Sequence, residues 1–209
     1  MKSSNVISLG EALIDRLGPL GGDRAFEKNE TDCFGGAPAN VACALSHLGV
    51  NVSFIGSLGN DLFGQQFKKF MVNRGLNLVA LQEDNSRPTR VVLVNRDFEG
   101  ERFFGGFEGD MGLGFADQAI SLDKLTKVWP LIAKEAKWMI IGTIPLASKL
   151  SSEVFDWCIK QSLDLGICIA LDLNWRPTFW RKQFSKNLAP SDQELDVIKP
   201  YLEFASLIK

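Results

Sequence analysis

The 209-residue sequence contains a single histidine, His47. Zinc sites and Ser-His-Asp triads both draw on partnered histidines, so neither is expected, and His47 reads as a surface or structural residue within a helix. The four cysteines, Cys33, Cys43, Cys158 and Cys168, form no CxxC pair and read as small buried hydrophobes in a reducing compartment. No Lys/Arg block occurs and the formal net charge is −2, so no nucleic-acid partner or anionic membrane surface is expected. No apolar run approaches the roughly 18 residues of a membrane helix. The N-terminus "MKSSNVISLGEALID" lacks a signal-peptide pattern, which makes the cytoplasm the expected location. Two phosphate-cradling patterns are also missing: there is no GxxxxGK[ST], and no GxGxxG follows the first apolar run. The second absence argues against a nucleotide-dependent dehydrogenase.

What remains is an ordinary globular composition, 45% hydrophobic and 23% charged, enough for one sizeable core over residues 1–209. Residues 5–10 read as a first strand and 51–56 as the next, separated by a helix over 37–48 with Val41, Ala44, Leu45 and Leu48 as its apolar stripe. A second helix over 61–74 gathers Phe63, Phe67, Phe70 and Met71 on one face. "WMIIG" (138–142) and "ICIALD" (167–172) are short apolar strands of the kind buried in a parallel sheet, with a helix over 151–165 between them. Ser191 and Glu194 have capping-box spacing ahead of a further helix, and "SLIK" opens another strand. Strands alternating with helices predict an open α/β sheet. Two stretches break the rhythm, at about 11–34 and 88–108. The second reads as a hairpin turning at Asp97 to Gly100, and both look like strand insertions forming a lid.

Ligands of open α/β sheets gather where strands end. Asp15 is expected after the first strand, Gly35, Gly36 and Asn40 at the start of the first helix, and Asp172, Asn174 and Arg176 after "ICIAL". Each has a plain alternative: a turn residue, a helix cap, tight glycine geometry, a surface ion pair. Together they suit a neutral polyol better than a phosphate. Hydroxyl groups need a carboxylate acceptor, a two-way amide and close backbone approach, and Asp15, Asn40 and the glycine pair supply that set.

The stretch "GGAPANVACALSHLGVNVSFIGSLGNDLFG" strongly resembles the first signature of the PfkB (ribokinase-like) carbohydrate kinases, and "GEALID" and "DLNWRPTFW" are most similar to fructokinases. The resemblance implies a three-layer α/β/α sandwich with a mostly parallel sheet and a small β lid over the sugar. It implies ATP-dependent phosphorylation of a sugar hydroxyl with Mg2+, and a homodimer formed through the lid. Carried over by motif, Asp15, Gly35, Gly36, Asn40 and Asn174 bind the sugar. Arg176 lies near the substrate end or the phosphoryl group in flight, where a fixed cation supports developing charge, and Arg102 of "GERFF" joins them.

Two departures follow. Glu108 stands where the acidic-sugar kinases of the family carry an arginine, which favours a neutral ketose such as fructose or a similar hexose. The family's catalytic GAGD segment is absent from the 209 residues, as are the N-x-x-E metal motif and the adenine loops. "FEGDMG" (107–112) follows the lid hairpin instead of opening a core helix. The chain then reads as the N-terminal part of a sugar kinase, inactive and poorly soluble by itself. The alternative is a non-catalytic sugar-binding or regulatory module.

Overall fold

The computed structural model describes residues 5–21, 30–181 and 189–209. Residues 22–29 of the first predicted insertion lie outside the described residues. Among the described residues a six-stranded parallel sheet runs in the order β10-β9-β8-β1-β4-β5. Its strands are β1 (Val6–Leu9), β4 (Val52–Gly59), β5 (Leu81–Asp84), β8 (Trp138–Gly142), β9 (Cys168–Asp172) and β10 (Ala205–Ile208). A second sheet of four strands, β2 (Leu13–Leu20), β3 (Thr31–Gly35), β6 (Val91–Arg96) and β7 (Arg102–Glu108), has the order β3-β2-β6-β7. The lid predicted from the two insertions is this second sheet, and the hairpin turn closes through Gly100 N–H to the Asp97 carbonyl.

The helices are α1 (Ala37–His47), α2 (Leu62–Asn73), α3 (Leu122–Ala133), α4 (Lys149–Asp164), the short α5 (Pro177–Trp180) and α6 (Asp192–Leu202). One core layer sets Ile7, Leu9, Met139, Ile141, Ile169 and Leu171 of the sheet against α3 and α4. The opposite layer packs Val6, Val52 and Phe54 under α1 and α2, with Phe67 and Met71 of α2 buried as its predicted stripe requires. α6 begins with the predicted capping box, Ser191 and Glu194 each satisfying the other's backbone N–H.

The buried face of α1 is not the predicted one. Pro38, Ala39, Ala42 and Cys43 are buried, whereas Ala44 and Leu48 are exposed and Val41 and Leu45 half-buried. Small side chains let this helix lie close to β1, and close approach decided the face in place of hydropathy. Ser8 Oγ donates to the Pro38 carbonyl at 2.9 Å, and a Cβ on Gly10 would stand 2.3 Å from Pro38 Cγ. His47 closes the last turn of α1, exposed, instead of lying mid-helix. Cys43 and Cys158 are buried as expected, but Cys33 and Cys168 only half so.

Two elements carried no clear signal in the sequence. α3 places Leu125, Trp129, Ile132 and Ala133 inward, but Pro130 sits within it and reads as a stop. β5, "LQED", has a buried Gln82 bonded to the Ser121 backbone instead of an apolar alternation. The "GND" turn pins the lid to the core. Asp61 Oδ1 caps α2 by accepting from Gly64 N–H at 2.8 Å, and its Oδ2 accepts from Thr89 N–H at 2.6 Å, just ahead of β6.

Candidate functional site

The lid sheet faces the C-terminal edge of the parallel sheet across an open cleft of about 530 Å³. Strand alternation aims Leu13, Asp15 and Leu17 of β2 into it, together with Val92 and Val94 of β6. Arg102 at the start of β7 completes the lid side. Opposite lie Glu11 after β1, Gly36, Ala37 and Asn40 at the start of α1, and Asn174, Arg176 and Phe179 after β9. Asp15, Gly36, Asn40, Arg102, Asn174 and Arg176 therefore share one cavity, although they span 162 positions of sequence from first to last. Asp15 does not end a strand of the parallel sheet, as expected; it lies within β2 of the lid.

Gly35 is set apart from the others. It does not line the cleft but stands behind Asp15, where a Cβ would come 2.4 Å from Oδ2 of that carboxylate. Gly36 has φ of 98°, a region side chains rarely enter, and a Cβ there would meet the Glu11 carbonyl oxygen at 2.4 Å. The glycine pair thus creates room for two acidic residues and their backbone.

Asp15 is half-buried, and burial raises its carboxyl above the ordinary value of 3.8; the positive charges of Arg102 and Arg176 pull it back down. Arg176 is exposed, with Nη1 donating to the Trp175 carbonyl at 3.1 Å. Asn174 holds φ at 31°, a left-handed backbone that asparagine tolerates, and so turns the chain back toward the cleft after β9.

Glu11 was not singled out by the sequence, yet it is the most buried acidic residue of the cleft, 3% exposed. Its Oε1 accepts from the Ala37 N–H at 3.1 Å, at the first turn of α1, whose N-cap Gly36 offers no side chain. Its Oε2 is buried with no hydrogen-bond partner among the described residues. Burial pushes this carboxyl up to about 7; its own and the Ala37 N–H groups oppose the rise, the Asp117 charge adds to it and the Arg90 charge opposes it. The only hint in the sequence is a lone charge inside "SLGEALI", where flanking apolar strands enforce burial.

Behind Glu11 sits a second feature invisible to motif reading. Arg90 donates from Nε and Nη2 to the two oxygens of Asp117 at 2.8 and 2.9 Å, and both side chains are buried. The guanidinium carbon lies 4.8, 4.4 and 4.8 Å from the ring centres of Phe107, Phe115 and Phe179. These rings come from the lid hairpin, the segment after it and α5. Glu11, Arg90, Asp117 and Ser148 also border a void of about 10 Å³, the size of one water molecule.

Two predicted contributors point elsewhere. Glu108 accepts from Arg16 Nη1 at 2.9 and 3.0 Å, a guanidinium it shares with Asp32 and Glu30, and it does not line the cleft. A side chain four positions from a cleft residue, here Phe104, falls on the other side when the strand bulges between them, as β7 does opposite Leu93 and Val94. Asp172 faces Lys209 at 3.5 Å and is likewise outside the cleft lining. Asp110 of "FEGDMG" accepts from the Gly112 and Gly114 N–H groups in a surface turn, and no helix starts there.

The described residues do not fit a triphosphate or its metal ion. The one glycine turn at a cleft-lining helix start is occupied by the Glu11 carboxyl, which repels an anion when ionised. No group of three or more His, Cys, Asp or Glu side chains that could hold a metal occurs among the described residues. Nor is any helix among them long and apolar enough to cross a membrane.

Comparison with known proteins agrees with this architecture. The fructokinase of Escherichia coli is 36% identical over 199 residues, covering 94% of this chain and 60% of that protein. The crystal structure of an uncharacterized sugar kinase from Pyrococcus horikoshii superposes with a TM-score of 0.80 at 28% identity, over 97% of this chain and 64% of that one. The fructokinase of Vibrio cholerae O395, in a form with fructose, ADP and calcium ion bound, gives 0.76 at 26% identity, over 98% and 59%. The chain spans about half to three-fifths of the length of the curated relatives it matches. The model of the pfkB family carbohydrate kinases matches residues 3–200, and the chain belongs to that family.

Proposed function

We propose that the cleft binds a neutral sugar, a ketose such as fructose or a similar hexose, for ATP-dependent phosphorylation of one of its hydroxyls. The observation that carries this reading is the convergence of Asp15, Asn40 and the Gly36–Ala37 turn on one cavity large enough for a hexose. In it the Asp15 carboxylate accepts from sugar hydroxyls and the Asn40 amide both donates and accepts. The charges are close to balanced: Arg102 and Arg176 stand against Asp15 and the partly protonated Glu11. A balanced cleft suits an uncharged ligand, and that balance, not Glu108, supports a neutral sugar. The named fructokinase relatives, one of them with fructose and ADP bound, support the same choice.

ATP and a divalent metal ion would supply the transferable phosphoryl group and neutralise its charge when bound. Arg176, exposed on the cleft wall, would face the substrate. Gly35 acts by seating Asp15. Residues 1–209 would form the sugar-binding part of a kinase domain, and pairing of two copies through the open edges of the lid sheet, β3 and β7, belongs to the same proposal.

Calorimetric titration with fructose, other hexoses and an acidic sugar tests the reading, alongside ADP release in the presence of ATP. Saturable fructose binding that weakens at least tenfold in Asp15→Ala and Asn40→Ala is the expected result. Absence of sugar binding by wild type would end it. Sugar binding without ADP release favours the second reading, a sugar-binding module; the observation behind it is that the cleft lining is built within these residues.

A further inference from the structure

We infer that Glu11 is a further ligand-binding residue, its Oε2 serving as the acceptor for one hydroxyl of the bound polyol. The inference rests on the sugar reading of the cleft and adds a residue to it. The geometry gives the two carboxyl oxygens different tasks. Oε1 is committed to the Ala37 N–H and so fixes the glycine turn that borders the ligand. Oε2 has no partner among the described residues, although the side chain is 97% removed from solvent by its 3% exposure. An unpaired buried carboxyl oxygen costs more than almost any other polar group, and a fold keeps one where a ligand or a buried water completes it. Glu11 lines the cleft beside Gly36 and Ala37 and opposite Asp15, so a hexose held between Asp15 and Asn40 has its next hydroxyl within the same cavity.

Two charged groups act on this carboxyl, Asp117 and Arg90 from behind, and Asp15, Arg102 and Arg176 are the charged side chains that share the cleft with it. Without a ligand, burial and Asp117 hold the carboxyl near half-protonation at neutral pH. A hydroxyl that donates to Oε2 favours the ionised form, so the bound state gives up the proton. The O–H bond of the carboxylic acid breaks, its proton passes to buffer, and the sugar hydroxyl stays intact as a donor.

Fructose binding is therefore measured by calorimetry at pH 7 in two buffers of different ionisation enthalpy. Wild type should release a fraction of a proton per fructose, and Glu11→Gln should release none. Glu11→Gln keeps an acceptor for Ala37, so it should fold and still bind, about tenfold more weakly. A panel of deoxyfructoses locates the contact: one analogue should lose about tenfold with wild type and nothing further with Glu11→Gln. Buffer-independent heats with wild type, or equal losses for every analogue in both proteins, overturn the inference and leave the sugar site standing. No fructose binding by wild type overturns the sugar site itself.

Discussion

A Cβ on Gly35 would lie 2.4 Å from Oδ2 of Asp15, closer than carbon and oxygen can approach. The glycine pairs with Leu13 across β2 and β3, and its missing side chain is the space in which the Asp15 carboxylate rests. Gly35→Ala should therefore displace the carboxylate before it disturbs the fold. Overpacking of this kind costs about 1–3 kcal/mol of stability. The larger effect should fall on sugar affinity, reduced at least tenfold, as a fructose titration would measure. Unchanged affinity would mean that Asp15 does not set the ligand's position.

The parallel sheet, the lid and most of the cleft were legible in the sequence because their signals are local. "WMIIG" matches β8 residue for residue, and the Ser191–Glu194 spacing fixes the start of α6. Asp15, Asn40 and Arg176 could be named because each sits in a short recognisable motif. Glu11, Arg90 and Asp117 could not, because their importance arises only when three distant segments meet in a low-dielectric interior. Glu108 misled for the complementary reason: its position was readable, but its partner, Arg16, lies 92 residues away on another strand. The buried face of α1 was misread because hydropathy ranks leucine above alanine, whereas contact with β1 requires the smaller residue.

The Arg90–Asp117 pair ties the base of the lid to the loop carrying Arg176, with Phe179 as the link. Removing one partner strands a buried charge, so Asp117→Ala should destabilise the protein by about 3–5 kcal/mol. Replacing both by apolar residues of similar volume, Arg90→Met with Asp117→Leu, should recover most of that loss in a urea titration. The double variant should still bind fructose more weakly than wild type if the pair also orients the loop. Equal damage from the double and the single variants would show that the cation's contacts with the three rings dominate over the ion pair.

Among the described residues β10 is an edge of the parallel sheet, and Phe204, Leu207 and Ile208 on or beside it are 43%, 52% and 49% exposed. Unpaired backbone groups next to exposed apolar side chains promote strand pairing between molecules. The 209-residue chain should self-associate with rising concentration, and Leu207→Lys should suppress this by placing a charge on the edge. Sedimentation velocity over a hundredfold concentration range tests it; identical behaviour of the two proteins would assign the association to another surface.

Glu11 also writes its environment into the pH dependence of folding. Its carboxyl is raised in the native state from 4.5 to about 7, so over that interval the folded chain binds more protons than the unfolded one. Stability contributed by this group is then full below pH 4.5, declines as pH rises to about 7, and is level beyond. The decline amounts to about 3 kcal/mol at most. Asp84 and Glu194, whose carboxyls are lowered by their arginine partners and nearby donors, act in the opposite direction at acid pH, but they are common to wild type and any Glu11 variant. Glu11→Gln imitates the protonated acid at every pH. It should match wild type in urea unfolding at pH 5 and exceed it at pH 8. A variant that is equally destabilised at both values would mean that Glu11 is ionised throughout, held by donors other than Ala37.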